Sequence, residues 1–248
     1  MTKSWVKPFY RKQFELLNND IESEMEENLR LQVKEVKEQV GYKFYTVLDL
    51  GAGTGVLARA LAKQGIQMTT VELVPELVEF AKARSTDLIT SHCGDFYTIN
   101  LPLQYDVVSY FDGFGVGTDE EQLRLLTRIS KWMKDEGCAV IDIYQPVYWQ
   151  KVSGREMRVD QAFRIYDYEV ETKRMLDSWW HPDYPDDVVT QSLRCYTVQE
   201  ITDLCEQADL QIVGIFPGGA MDFEEWIYSE KVSLQKCLSY RIKVVKRK

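Results

Sequence analysis

Three glycines at alternate positions, Gly51, Gly53 and Gly55, follow the apolar, β-branched run Phe44-Tyr45-Thr46-Val47-Leu48-Asp49-Leu50 and precede a helix-forming stretch that begins at Val56. A glycine-rich turn between a strand and a helix lets the main chain approach a bound molecule more closely than any Cβ would permit, and it lies where ligands collect in an open α/β sheet. Two carboxylates frame this turn. Asp49 precedes it on the strand, while Glu72 ends the next β-like run, Gln67–Glu72, about twenty residues after the turn. An acid at that strand end accepts both hydroxyl protons of a ribose, and one beneath the loop caps backbone amides or faces a cation. A third acid, Asp95, follows Gly94 and precedes Phe96, and a fourth, Asp112, follows the run Tyr105–Phe111.

These residues need a scaffold that brings strand ends together, and the pattern supplies one. Predicted helices span Val56–Lys63, Pro75–Arg84 and Asp119–Met133. Between and after them lie predicted strands over Asp87–Cys93, Tyr105–Phe111 and Cys138–Tyr144, with a turn at Asp135-Glu136-Gly137. With Phe44–Leu50 and Gln67–Glu72, this alternation is that of a doubly wound, mainly parallel α/β sheet. A short helix over Trp5–Leu17 and an amphipathic one over Asp20–Val40, whose apolar stripe runs Ile21, Met25, Leu29, Val33, Val36, Val40, precede it. From Pro146 to Tyr196 the alternation fails, and Phe163–Val170, Arg174–Trp180 and Val188–Tyr196 read as antiparallel strands of an insertion. Thr197, with Glu200 three residues on, forms a capping box opening a helix through Ala208, and Gln211–Phe216 and Leu238–Val245 read as closing strands. The expected organisation is one domain: a helical N-terminal part (1–44), a ligand-binding core (45–145), an inserted cap (146–196) and a closing helix and strands (197–248).

The segment Val47-Leu48-Asp49-Leu50-Gly51-Ala52-Gly53-Thr54-Gly55 closely resembles the first signature of the class I S-adenosylmethionine-dependent methyltransferases. The likeness continues through Val71-Glu72-Leu73, Gly94-Asp95-Phe96 and Tyr105-Asp106-Val107-Val108-Ser109-Tyr110, covering about residues 45 to 145. It implies a Rossmann-like sheet of seven strands, the last antiparallel, and S-adenosyl-L-methionine as the methyl donor. The implied donor contacts are Asp49, Gly51, Ala52, Gly53 and Gly55 toward the methionine part, Glu72 and Leu73 toward the ribose, and Gly94, Asp95 and Phe96 toward the adenine. The same likeness puts Phe111, Asp112 and Phe114 near the reacting sulfonium, a cation that carboxylates and aromatic faces favour. Two rival readings share the scaffold: a nicotinamide-dependent oxidoreductase and a non-catalytic binding module. The spacing G-x-G-x-G, in place of G-x-G-x-x-G, counts against the first.

The methyl acceptor is expected to be a small molecule lying over the strand ends, covered by the N-terminal helices and the insertion, both rich in aromatic residues. Tyr10, Phe114, Tyr144, Trp149 and Trp180 are its candidate neighbours. His181, directly after Trp179-Trp180, is the candidate general base, since histidine titrates near neutral pH. A net charge of -9 repels nucleic acid, and the five cysteines form no C-x-x-C pair, so neither a disulfide framework nor a zinc site is expected. With no apolar run long enough to span a bilayer and no apolar signal segment, the expectation is a soluble, cytoplasmic protein without a membrane partner. The oligomeric state has no signature in the sequence.

Overall fold

The computed structural model describes residues 3–17 and 26–247. Helices α1 (Val6–Leu16) and α2 (Glu26–Val40) lead into β1 (Thr46–Leu50), α3 (Val56–Ala62), β2 (Gln67–Glu72), α4 (Pro75–Lys82), β3 (Ile89–Cys93), β4 (Tyr105–Tyr110), α5 (Asp119–Trp132) and β5 (Met133–Tyr144). The insertion comprises α6 (Pro146–Val152) and strands β6 (Glu156–Val159), β7 (Ala162–Glu169), β8 (Arg174–His181) and β9 (Tyr184–Arg194). After it come α7 (Val198–Gln207), β10 (Leu210–Pro217), the small hairpin β11 (Ala220–Asp222) and β12 (Ile227–Ser229), and β13 (Ser239–Lys246).

Seven strands form the main sheet in the order β10-β13-β5-β4-β1-β2-β3, with β13 antiparallel to both neighbours. Strand alternation sorts side chains onto its two faces. Leu48, Leu50 and Val108 pack with α5 and α7 through Leu125, Ile129 and Ile201, whereas Val47 and Val107 pack with α2 and α3 through Val36, Val40, Ala58 and Leu61. Each fully buried side chain of this size contributes about 1.5–3 kcal/mol. The capping box read from Thr197 and Glu200 is present, and a second, Thr118 with Glu121, opens α5. The chain order reverses at β1, which pairs β2 on one side and β4 on the other, so a crevice opens beyond its carboxyl end.

Strands β6–β9 form a separate antiparallel sheet. Helix α1 docks on it through Phe9 and Leu16, which meet Ala162 and Trp179, and Gln161 Nε2 donates to the Leu16 carbonyl at 3.1 Å. No helix among the described residues is long and apolar enough to cross a membrane.

Several local expectations are corrected. The turn expected at Asp135–Gly137 lies within β5, which begins at Met133 opposite Tyr105, and the Lys134 ammonium bonds the Asp106 carboxylate at 2.7 Å. Residues 146–152 are helical: Pro146 presets the first turn, and the Gln145 side chain accepts the Val147 N–H at 3.4 Å. Strand β9 starts four residues before Val188, at Tyr184, because its pairing with β8 continues to His181. The α2 stripe is seen from residue 29 onward, while the expected contributions of Ile21 and Met25 lie outside the described residues.

Candidate functional site

Parallel register brings the ends of β1, β2 and β4 level, with Leu50 opposite both Val71 and Tyr110. The turn after β1 is tied to its neighbour, since Gly51 N–H donates to the Val71 carbonyl at 2.8 Å. Gly51, Gly53 and Gly55 all have positive φ, at 65°, 54° and 75°. A Cβ on Gly55 would sit 3.1 Å from the Ala81 Cβ, so that glycine serves the close approach of α3 to α4. A Cβ on Gly53 would meet only the tip of Leu77, at 4.0 Å, and point into open space.

That space is a cavity of about 730 Å³, within the range of about 300–1,000 Å³ typical of small-molecule sites. Its walls include Gly51, Gly53, Glu72, Leu73, Asp95, Phe96, Phe111, Asp112 and Tyr10 from the expected set. The sequence reading missed Leu77 and Phe80 from α4, Tyr97, Tyr110 and Val116. One face of α1 lines the cavity through Val6, Lys7, Tyr10 and Phe14, residues at helical spacing, which was the available signal, with Lys3 before the helix and Leu17 just after it.

Glu72 is buried, and its carboxylate joins two segments: Oε2 accepts from Gly53 N–H at 2.9 Å, and Oε1 from Leu73 and Val74 N–H at 2.7 and 2.9 Å. Burial pushes its carboxyl upward, against the three amide donors. A carboxylate offers about four lone-pair positions, so one remains for a ligand in the cavity. Asp95 Oδ1 accepts the Tyr97 N–H at 2.7 Å, which forms the turn after β3, and Phe96 packs against Tyr97 and Tyr110 with ring centroids 4.8 and 5.2 Å apart. Tyr110 donates its hydroxyl to the Gly113 carbonyl at 2.6 Å, shaping the loop after β4.

Asp49 does not reach the cavity wall. It lies beneath the loop, 5% exposed, and accepts the Ser109 hydroxyl at 2.6 Å. Burial, together with the nearby Glu72 charge, raises its carboxyl from 3.8 to about 6 against the Ser109 hydrogen bond. A folded-state value above the unfolded one means that the associated stability is full below pH 3.8 and is lost as pH rises toward about 6. The loss amounts to about 3 kcal/mol, at about 1.4 kcal/mol per pH unit. Asp49→Asn is therefore expected to flatten the fall in stability between pH 4 and 6.5 in urea melts; parallel curves for the two proteins would refute this.

Asp112 holds a left-handed conformation, φ 52°, at the mouth of the β4–α5 loop. Its side chain is exposed where it lines the cavity. The Tyr144 hydroxyl donates to its Oδ1. Desolvation by the protein packed around the cavity, with the charges of Asp142 and Asp177, raises its carboxyl to about 6, and Arg164 opposes.

Other expected site residues fall elsewhere. Ala52, Gly55 and Gly94 support the loops without lining the cavity, and Phe114 is buried in the core against Tyr110 and Tyr196. Tyr144 stands behind Asp112. Trp149 is buried with Nε1 donating to the Leu238 carbonyl at 2.9 Å, and Trp180 stacks on Phe163 across β7 and β8. His181, expected as a base, sits where β8 turns into β9, and its Nδ1 accepts the Asp183 N–H at 3.1 Å. It is absent from the cavity wall because the hairpin carries it to the far end of the inserted sheet.

Residues 47–137 match the family model described as a methyltransferase domain. A cypemycin N-terminal methyltransferase from a Streptomyces species is 34% identical over 112 residues, which make up 44% of this chain and 46% of that protein, so the match spans about half that relative's length. Among solved structures, the CcbJ methyltransferase of Streptomyces caelestis superposes with a TM-score of 0.70 at 17% identity, covering 89% of this chain and 90% of that one. CalS10 of Micromonospora echinaspora, an amino pentose methyltransferase with S-adenosylmethionine bound, gives a TM-score of 0.60 at 17% identity over 88% and 90% of the two chains. At such identities the structures testify to the fold.

Proposed function

We propose that this chain is a member of the class I S-adenosylmethionine-dependent methyltransferases and that it transfers the methyl group of S-adenosylmethionine to a small molecule; the methyltransferase-domain match over residues 47–137 and the shared fold support the reading. The observation that carries the proposal is that the open side of Gly53 and the remaining face of Glu72 border one cavity. The residues fit the donor: glycine main chain for its amino-acid end, the Glu72 carboxylate for the ribose, and Asp95 with Phe96 for the adenine. When bound, the donor supplies a methyl group already activated by a positive sulfur. Of the aromatic residues on this part of the wall, Phe111 already carries the Arg241 guanidinium over its ring at 3.9 Å, which leaves Tyr110 as the aromatic partner proposed for such a cation. Helix α1 excludes bulk water and limits the directions from which an acceptor can approach, so catalysis rests largely on alignment. The named activities of the cypemycin and amino pentose enzymes support an acceptor of natural-product size.

Calorimetric titration with S-adenosylhomocysteine, the demethylated donor, tests this reading. Wild-type protein is expected to bind it and to give no heat with NADH. Glu72→Ala, which removes the ribose acceptor and unties Gly53 N–H, is expected to weaken binding by about tenfold or more. Binding of NADH with no binding of S-adenosylhomocysteine would overturn the proposal.

A further inference from the structure

The acidic groups around the acceptor end of the cavity differ in how their charges are met. Asp177 on β8 is held by the Arg164 guanidinium through both carboxylate oxygens, at 3.1 and 2.5 Å. Asp142 on β5 is held in the same way by Arg241, at 2.6 and 3.0 Å. Glu72 is satisfied by three main-chain amides. Asp112 differs: no cation lies within ion-pair distance among the described residues, and its partner is the neutral Tyr144 hydroxyl. It also faces the cavity and keeps a left-handed backbone that a glycine would adopt more cheaply. Tyr10, from the cavity face of α1, completes the surroundings. Its hydroxyl has no hydrogen-bond partner among the described residues, and the charges of Asp112 and Glu72 act on it.

A carboxylate that lines a ligand-sized cavity with no ion-pair partner of its own is a site for a cation carried in by a ligand. We propose that the methyl acceptor is an amine, anchored as its ammonium on the Asp112 carboxylate, with the Tyr10 phenolic oxygen as a second acceptor for its N–H groups. Tyr144 is the positioning residue, since its hydroxyl fixes one carboxylate oxygen and leaves the other for the ligand. An alcohol or a carbon nucleophile brings no charge to match Asp112. For the amine to react, one ammonium N–H bond breaks with its electron pair kept by nitrogen, and the proton forms an O–H bond on Asp112. Desolvation of the two groups by the bound ligand favours that neutral pair over two desolvated ions. The inference rests on the methyltransferase reading for the identity of the reaction; the cation site itself does not.

The test compares benzylamine with benzyl alcohol, titrated into the full chain at pH 8 with and without S-adenosylhomocysteine. Wild-type protein is expected to bind the amine about tenfold or more tightly than the alcohol. Asp112→Asn should abolish that preference, and Tyr144→Phe should keep the preference but weaken it severalfold. A second measurement needs no variant: amine affinity of the wild type should fall several-fold from pH 8 to pH 5, as Asp112 takes up a proton. The other charged groups that act on it or line the same cavity are Asp142, Asp177, Arg164, Lys3, Lys7, Glu72 and Asp95, beside the phenols of Tyr10, Tyr110, Tyr144 and Tyr166, and the loss of the pH response in Asp112→Asn assigns it among them. Equal affinity for amine and alcohol, binding of neither, or a preference that survives Asp112→Asn overturns the inference. Binding of S-adenosylhomocysteine without amine preference would sink this inference alone. Amine preference without S-adenosylhomocysteine binding would sink the methyltransferase proposal and leave the cation site standing.

Discussion

Gly53→Arg is expected to fold and to lose affinity for S-adenosylhomocysteine by about a thousandfold, or about 4 kcal/mol. Its Cβ has room, since the nearest atom is the Leu77 methyl at 4.0 Å. The backbone cost is that of one non-glycine residue at φ 54°, about 1–2 kcal/mol, or a melting point lower by a few degrees in a chain of this size. The guanidinium then fills the space where the donor's amino-acid end is proposed to lie and sets a cation beside the sulfonium. Gly55→Arg makes the contrast, because its Cβ would strike the Ala81 Cβ at 3.1 Å and the damage would appear in folding. Calorimetry and thermal melts on both variants separate the two outcomes, and donor affinity within tenfold of wild type in Gly53→Arg would mean that the turn is not a wall of the donor site.

What made Gly53 and Glu72 legible in the sequence is that their geometry is set locally. A strand, a tight turn and a helix follow one another in the chain, and the acid comes at the end of the very next strand, so spacing alone sets their relation. The same holds for Thr197 and Glu200, three residues apart in one helical turn. Where partners are distant in sequence, residue type misled. His181 was singled out because histidine titrates near neutrality, but its place depends on the β8–β9 pairing, which sends it to a hairpin end. Tyr110 and Phe114 are both aromatic and four residues apart, yet one lines the cavity and the other fills the core. Helix α6 was hidden by the β-favouring run Val147-Tyr148-Trp149, which is helical because Pro146 starts the turn and Tyr148 and Trp149 are buried against the inserted sheet. That Tyr10 and Asp112 line one cavity depends on α1 docking on the inserted sheet and α4, close to where that sheet meets the main one, and no pairwise pattern in the chain encodes it.

That junction of two sheets is where the largest stability effect is expected, at Gly115. The Cβ of Gly115→Ala would lie 2.4 Å from the Arg194 carbonyl oxygen and 2.8 Å from its nitrogen, at φ 112°, so the obstacle is main chain. Neither side has freedom to yield. Arg194 N–H donates to the Gly115 carbonyl at 3.0 Å, and the buried Arg174 guanidinium bonds the carbonyls of Gly115, Gly117 and Ser192 at 3.0, 2.9 and 2.6 Å. Separating them leaves a buried guanidinium with unmet donors as well as a steric clash, and the expected cost is about 4 kcal/mol or more. The companion variant Gly154→Ala has the same kind of backbone, φ 80°, with nothing within 4 Å of the new Cβ, so it should cost only about 1–2 kcal/mol. Because Asp112 and Val116 belong to the loop that Gly115 pins, whatever Gly115→Ala protein folds should also bind benzylamine no better than benzyl alcohol. Urea melts showing the two variants equally stable would mean that the loop after β4 is not locked to the inserted sheet, and the rigid placement of Asp112 would lose its physical basis.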